Sequence, residues 1–340
     1  VRVKGISYDT GFLREGRYSR THFDPDMVRR ELRIIRDDLH CTAVRLMGGD
    51  PDRLDDAAAA AAELGLEIWY SPYPLELDGD AILALFADCA ERAERHRRGG
   101  AEVVFVTGAE LSLMNKGFLP GGGPADRVAA MRNPDGRLER MREATVRVGE
   151  FLSRAVEVVR EHFHGPLTYA AVPFERIDWT PFDFVSVDLY RSAEIADHFA
   201  DGIRTLVSGG KPVAITEFGS ATFAGAPDRG ASALDAVHYG GDGSPLYLDA
   251  DYVRDEPSQA ACIRELLDIF DTEGVAATFV FTFALYDHVH RPEAAARDDL
   301  DSAGYGIVKV YEDRSGTTYP DMPWEPKVAF TTLADYYRTH

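Results

Sequence analysis

Short, near-continuous apolar runs alternate along this chain with longer segments in which apolar residues recur every three or four positions. The first kind reads as strands covered on both faces, the second as helices with one buried stripe. Strands are predicted at Val1 to Thr10, Cys41 to Met47, Glu67 to Ser71 and Glu102 to Thr107, then at Thr168 to Val172, Phe184 to Tyr190, Val213 to Thr216 and Thr278 to Phe283. Helical spacing fills most of the intervals, for example Val28, Leu32, Ile35 and Leu39, or Met141, Val148, Leu152, Val156 and Val159. Asp24-Pro25 and Asp50-Pro51 have the form of an N-cap followed by a first helical proline, and Gly65, Gly209 and Gly274 are helix stops. Gly11 to His22 and the long stretch from Phe218 to Asp255 read as loops.

This order predicts eight strand-then-helix units and, from them, an α/β fold with a parallel sheet. A count of eight favours closure into a (β/α)8 TIM barrel over an open doubly wound sheet. No linker, repeat or charge block divides residues 1–340, so one barrel domain is expected. The first strand is not followed by GxGxxG, which removes the dinucleotide-binding alternative.

Composition narrows the partners. At 340 residues and 45% hydrophobic, the chain can bury a large core. A formal charge of -20 argues against nucleic acid or an anionic membrane surface as the main partner. The three cysteines, Cys41, Cys89 and Cys262, are scattered and odd in number, which suggests reduced core thiols. No apolar run is long enough to span a bilayer. A cytoplasmic protein is the default expectation, with a removed leader left open by the missing initiator methionine; oligomeric state is not legible.

In a closed barrel every βα loop opens on one face, so residues just past the strand ends converge there. These are Tyr8 and Asp9, Arg45, Tyr73, Glu110, Tyr190, Glu217, and Tyr286 to His290. The ends of strands four and seven, with Glu110 and Glu217, lie roughly across the mouth from one another. Two carboxyls so placed can divide labour, one held neutral to donate a proton and one ionised.

This layout resembles the clan-A retaining glycoside hydrolases, in which an acid/base Glu follows strand four and a nucleophile Glu follows strand seven. The resemblance implies Glu110 as acid/base, Glu217 as nucleophile, Arg45 beside the nucleophile and Tyr190 as its hydrogen-bond donor. It further implies a carbohydrate substrate, no cofactor and no metal, with double displacement as the reaction. Two positions depart from the pattern. Ala109 stands where those enzymes usually place an Asn for the sugar 2-hydroxyl, with Asn115 as a candidate substitute. Phe283 and Tyr286 stand where a Trp platform is common. Tyr73, Trp179, Tyr286 and Trp69 are candidate stacking residues, Trp69 with core as its other reading; Tyr8, Asp9 and His288 are candidate hydrogen-bond partners.

Two other classes stay open at this level. Ala109 and the weakened platform suit a silent carbohydrate-binding or regulatory barrel. His288 and His290 have the His-x-His form of a metal-dependent hydrolase, although that pattern normally follows strand one, and Gly5 to Asp9 contains no His. Ser220 lacks a GxSxG elbow, and Gly121 to Gly123 lacks the Lys-Ser/Thr of a phosphate loop.

Overall fold

A computed structural model describes residues 1–14, 16–241 and 243–340. Eight parallel strands form its centre: β1 (Val3–Gly11), β2 (Ala43–Gly48), β3 (Glu67–Pro72), β4 (Val103–Ala109), β5 (Leu167–Ala170), β6 (Val185–Asp188), β7 (Val213–Phe218) and β8 (Ala277–Val280). They are hydrogen-bonded in the order β5-β4-β3-β2-β1-β8-β7-β6. The remaining seam, β5 against β6, is closed by a parallel bridge between Ala171 and Val187. There Ala171 N donates to Ser186 O at 3.1 Å and Asp188 N to Ala171 O at 2.9 Å. The chain is therefore a (β/α)8 barrel.

The outer layer comprises α1 (Pro25–Asp37), α2 (Pro51–Glu63), α3 (Gly79–Arg98), α4 (Arg137–His162), α5 (Phe199–Val207), α6 (Glu256–Thr272) and α7 (Val328–Thr339). Asp24 and Asp50 cap α1 and α2 through their carboxylates, with proline at the first helical position of each. The fifth unit departs from the predicted strand-then-helix order. After β5 the chain makes only the 3-10 turn Pro173–Glu175 before reaching β6. Residues 173–184 carry two prolines and no helical apolar period, so nothing there can propagate a helix. An apolar groove of about 450 Å3, lined in part by Trp179, Phe199 and Leu206, lies along this bare segment.

The expected loops hold short elements as well. Leu13–Arg14 pairs with Arg17–Tyr18, Val237–Tyr239 with Pro245–Leu248, and Val308–Val310 with Trp324–Pro326, each as an antiparallel hairpin. The helical turn Leu111–Met114 and the helix Pro124–Arg132 follow β4.

The barrel interior is filled by side chains. Trp69 lies at its centre, with ring centroids 5.1 Å from Phe184 and 4.7 Å from Phe279. Gly5 makes room for this packing, since a Cβ there would sit 2.4 Å from the Phe279 ring. Trp69 is thus core, too deep to stack on a sugar. Alternation along the strands decides which other residues enter: Ala43 and Met47 point in, Val44 and Leu46 out. All three cysteines are buried free thiols. Among the described residues, no helix is long and apolar enough to cross a membrane.

Candidate active site

The C-terminal ends of the strands gather three carboxylates. One oxygen from each of Glu110, Asp188 and Glu217 lies within 4.8 Å of the other two. A β-bulge helps to bring Glu217 there, and a second bulge precedes Glu110. Along β6 and β7 the register runs Val187 to Ile215 and then Asp188 to Glu217, so β7 carries one extra residue. Ile215 packs outward. Strict alternation would turn Glu217 outward too, and the extra residue re-aims it into the mouth. On β4 the register passes from Val106 to Ala109 while β5 advances only from Thr168 to Ala170. Gly108 occupies that bulge at φ +83°.

Glu110 follows with φ 47°, a left-handed backbone uncommon for a side-chain-bearing residue. Its loop is pinned from behind. Tyr169 Oη accepts from Leu111 N at 2.9 Å, and the buried Glu175 accepts from Ser112 N at 3.1 Å, Ser112 Oγ at 2.6 Å and Tyr169 Oη at 2.8 Å. These contacts fix where the Glu110 carboxyl stands without touching it.

Glu217 is held at both oxygens. Arg45 Nη1 donates to Oε1 at 3.1 Å, and the Tyr190 hydroxyl donates to Oε2 at 3.0 Å. Arg45 is fully buried; the same Nη1 reaches Thr216 O at 2.9 Å and Asp188 Oδ1 at 3.5 Å, while Nε donates to Ser71 Oγ at 3.2 Å. Glu217 and Asp188 thus share one fixed cation, with Glu110 beside them. Burial, then the charges of Glu217 and Asp188, raise the Glu110 pKa well above the carboxylate range. Burial and Asp188 push Glu217 up to about 8, against the pull of Arg45 and Tyr190. Of the two glutamates, Glu217 receives two side-chain hydrogen bonds that favour its anion, whereas the Glu110 carboxylate accepts none among the described residues and feels Arg45 only through its charge.

An all-carboxylate set suits a hard divalent ion. The guanidinium already inside the cluster supplies the balancing charge, so these residues fit a metal poorly. His288 and His290 do not converge: their Nδ1 atoms face Asp287 at 2.8 Å and Asp299 at 2.9 Å respectively.

The other predicted positions separate. Tyr73 is buried beside the cluster, its hydroxyl proton held more tightly by burial and by Glu110 and Glu217. Asp9 points inward, accepts from Gly11 N at 2.6 Å and Ser19 Oγ at 3.1 Å, and is pushed up to about 7, mainly by burial. Tyr8, one residue earlier on the strand, must face outward. It donates to Glu31, as does the Tyr286 hydroxyl at 2.8 Å, and Arg20 lies 3.9 Å over the Tyr286 ring. Both tyrosines therefore belong to a packed polar network between β1, α1 and Trp324, not to the carboxylate cluster. Asn115 spends its amide on Pro74 O at 2.9 Å and Leu77 N at 3.2 Å, holding the loop after β3. Trp179 packs on Phe182 beside the outer groove. His288 lines a cleft of about 220 Å3 together with Phe12, Arg14, Arg17, Ser19 and Phe281. The Phe12 ring lies 5.1 Å from Tyr73, and Phe281 lies 6.5 Å from Tyr190, so each wall is one ring away from the carboxylates. A larger hollow of about 680 Å3, lined by Arg2, Glu67 and Gly100, opens at the opposite end of the strands and is remote from these groups.

Asp188 and Glu175 are absent from the sequence-based candidates. Asp188 carried the same signal as Glu217, an acid ending an apolar strand. Its effect can be isolated: Asp188→Asn removes the second-largest cause of the raised Glu217 pKa and leaves Arg45 to Glu217. The acid limb of the pH–rate profile is expected to move to lower pH; an unmoved limb would show that Glu217 does not set it.

No family model matches the sequence, and none of the curated proteins matches it. Solved structures do resemble it. A GH113 beta-1,4-mannanase is similar over 100% of this chain and 99% of its own, with a TM-score of 0.62 at 15% identity. Bacteroides uniformis beta-glucuronidase 2 is similar over 99% of this chain, which spans 35% of that protein, with a TM-score of 0.60 at 13% identity. The endo-beta-1,4-mannanase from Thermotoga petrophila is similar over 99% of this chain and 76% of its own, with a TM-score of 0.51 at 12% identity. At these identities the likeness is one of fold, a (β/α)8 barrel that this chain shares with those glycoside hydrolases.

Proposed function

We propose that this barrel is a retaining glycoside hydrolase acting on a β-linked glycan, with Glu217 as nucleophile and Glu110 as acid/base. The observation that carries the reading is the spacing. One oxygen of each carboxylate within 4.8 Å of the other favours the short separation of retaining pairs, about 5 to 5.5 Å, over the roughly 6.5 to 9.5 Å across which inverting pairs hold a water. The mannanases among the structural neighbours make a β-1,4-mannan the first substrate class to try.

The residues support each step. Arg45 and Tyr190 favour the Glu217 anion against burial and Asp188, and aim one oxygen at the anomeric carbon. As the C–O bond to the departing sugar breaks, Glu110 gives its proton to the leaving oxygen, and Glu217 forms the glycosyl ester. Glu110, now a carboxylate, takes one proton from a water as that water's oxygen bonds to the same carbon, which breaks the ester bond, releases Glu217 as its carboxylate and leaves Glu110 protonated for the next cycle. Ala109 offers no amide to the 2-hydroxyl, so binding at that hydroxyl must come from elsewhere in the mouth.

Proton NMR of early product tests the stereochemistry. The β-anomer is expected first, before mutarotation; initial release of the α-anomer would overturn the double displacement.

A further inference from the structure

The short hairpin after β1 places Arg14 directly opposite Arg17. Like charges facing across strands oppose pairing, and neither guanidinium has an ion-pair partner among the described residues. Both are half-buried and line the cleft of about 220 Å3 described above. In a chain with a net charge of -20, two arginines with no ion-pair partner among the described residues, in a cleft one ring away from a carboxylate cluster, need a reason. Arg14 is also nested between two glycine-containing loops. A Cβ at Gly243 would sit 3.3 Å from its Nη1, and one at Gly123 would sit 3.4 Å from its Nη2. The absence of side chains there lets the guanidinium lie between the loops after β4 and β7.

We propose that Arg14 and Arg17 form a subsite for an anionic substituent of the sugar, a uronate carboxylate or a sulfate ester. A planar guanidinium fork matches either group with two parallel hydrogen bonds. The three acids one ring beyond the cleft repel that substituent and Arg14 and Arg17 attract it, so charge fixes which way the sugar lies. Asp287, on the same wall, is engaged by His288 Nδ1 at 2.8 Å. This assignment rests on the glycosidase reading for the cleft's role, and deepens it by naming the substrate class.

The test is calorimetric titration of the non-turning Glu217→Gln protein with β-1,4-linked oligosaccharides of mannose, mannuronic acid and sulfated mannose. One of the anionic oligosaccharides is expected to bind at least about 10-fold tighter than the neutral one, with the preference weakening as salt rises. Whichever binds tighter identifies the substituent. Arg14→Ala and Arg17→Ala, made in the same background, should each cut the acidic-to-neutral ratio several-fold, while Arg14→Lys keeps part of it. Equal binding of all three sugars, binding of none, or a ratio unmoved by both alanine variants overturns the proposal. The two readings fail separately. Wild-type turnover of neutral mannan without acidic preference sinks the subsite alone. Arginine-dependent acidic binding with no turnover of any glycan sinks the hydrolase and leaves the subsite.

Discussion

Glu217→Ala will lower kcat/KM on an aryl β-mannoside by on the order of 10^4-fold or more while leaving the fold intact. No neighbour can take over its role. Asp188 is the nearest acid on the adjoining strand, but it is shorter, and its side chain is completely buried beside Arg45. The fold survives because the truncation removes one of three mutually repelling carboxylates, and Arg45 keeps Thr216 O at 2.9 Å and Asp188 Oδ1 at 3.5 Å. Steady-state kinetics paired with urea unfolding separates the two effects. Added azide should then attack the unshielded face and give a glycosyl azide of inverted configuration. Wild-type activity in this variant, or loss of activity only through unfolding, would remove Glu217 from the chemistry.

Glu110→Ala has the second-largest expected effect, about 10^2- to 10^4-fold on substrates whose leaving group needs a proton. A dinitrophenyl glycoside, which leaves without one, should lose much less in the glycosylation step. Wild-type activity should fall as pH rises through the elevated pKa of Glu110, and that basic limb should vanish in the variant. The same raised pKa has a stability consequence. The folded state holds a proton that the unfolded chain gives up near the ordinary value of 4.5. Stability therefore declines as pH rises from there toward the folded pKa, because the native state binds more protons over that window. Glu110→Gln removes the penalty, so it is expected to unfold at higher urea than the wild type at neutral pH while turning over far more slowly. A variant that lost stability would place Glu110 in a favourable ion pair instead.

The barrel was legible because its strands are buried on both faces and read as solid apolar runs. Val103 to Val106 and Val213 to Ile215 could hardly be anything else. The hairpins were not, since the two-residue strands Leu13–Arg14 and Arg17–Tyr18 are too short to show a period. The missing fifth helix was concealed by counting units instead of testing residues 173–184 for a helical stripe. At the site, rules about strand ends pointed to Glu110, Arg45, Tyr190 and Glu217, which the fold brings together, but could not sort Tyr8 from Asp9, which adjacent positions on one strand send to opposite faces. Asn115 and Trp179 were assigned by residue type, and their partners, Pro74 O and Phe182, depend on loop paths that the sequence does not encode locally.

The bulge before Glu217 carries a further consequence. That glutamate reaches the mouth through a single surplus residue in its strand, so the chemistry is written in chain length as much as in residue identity. A sibling protein could retain every side chain of this centre yet lack that insertion. It would still close into the same cylinder, with a reactive acid rotated toward the surrounding helices, and a comparison by conserved letters alone would mistake it for an enzyme.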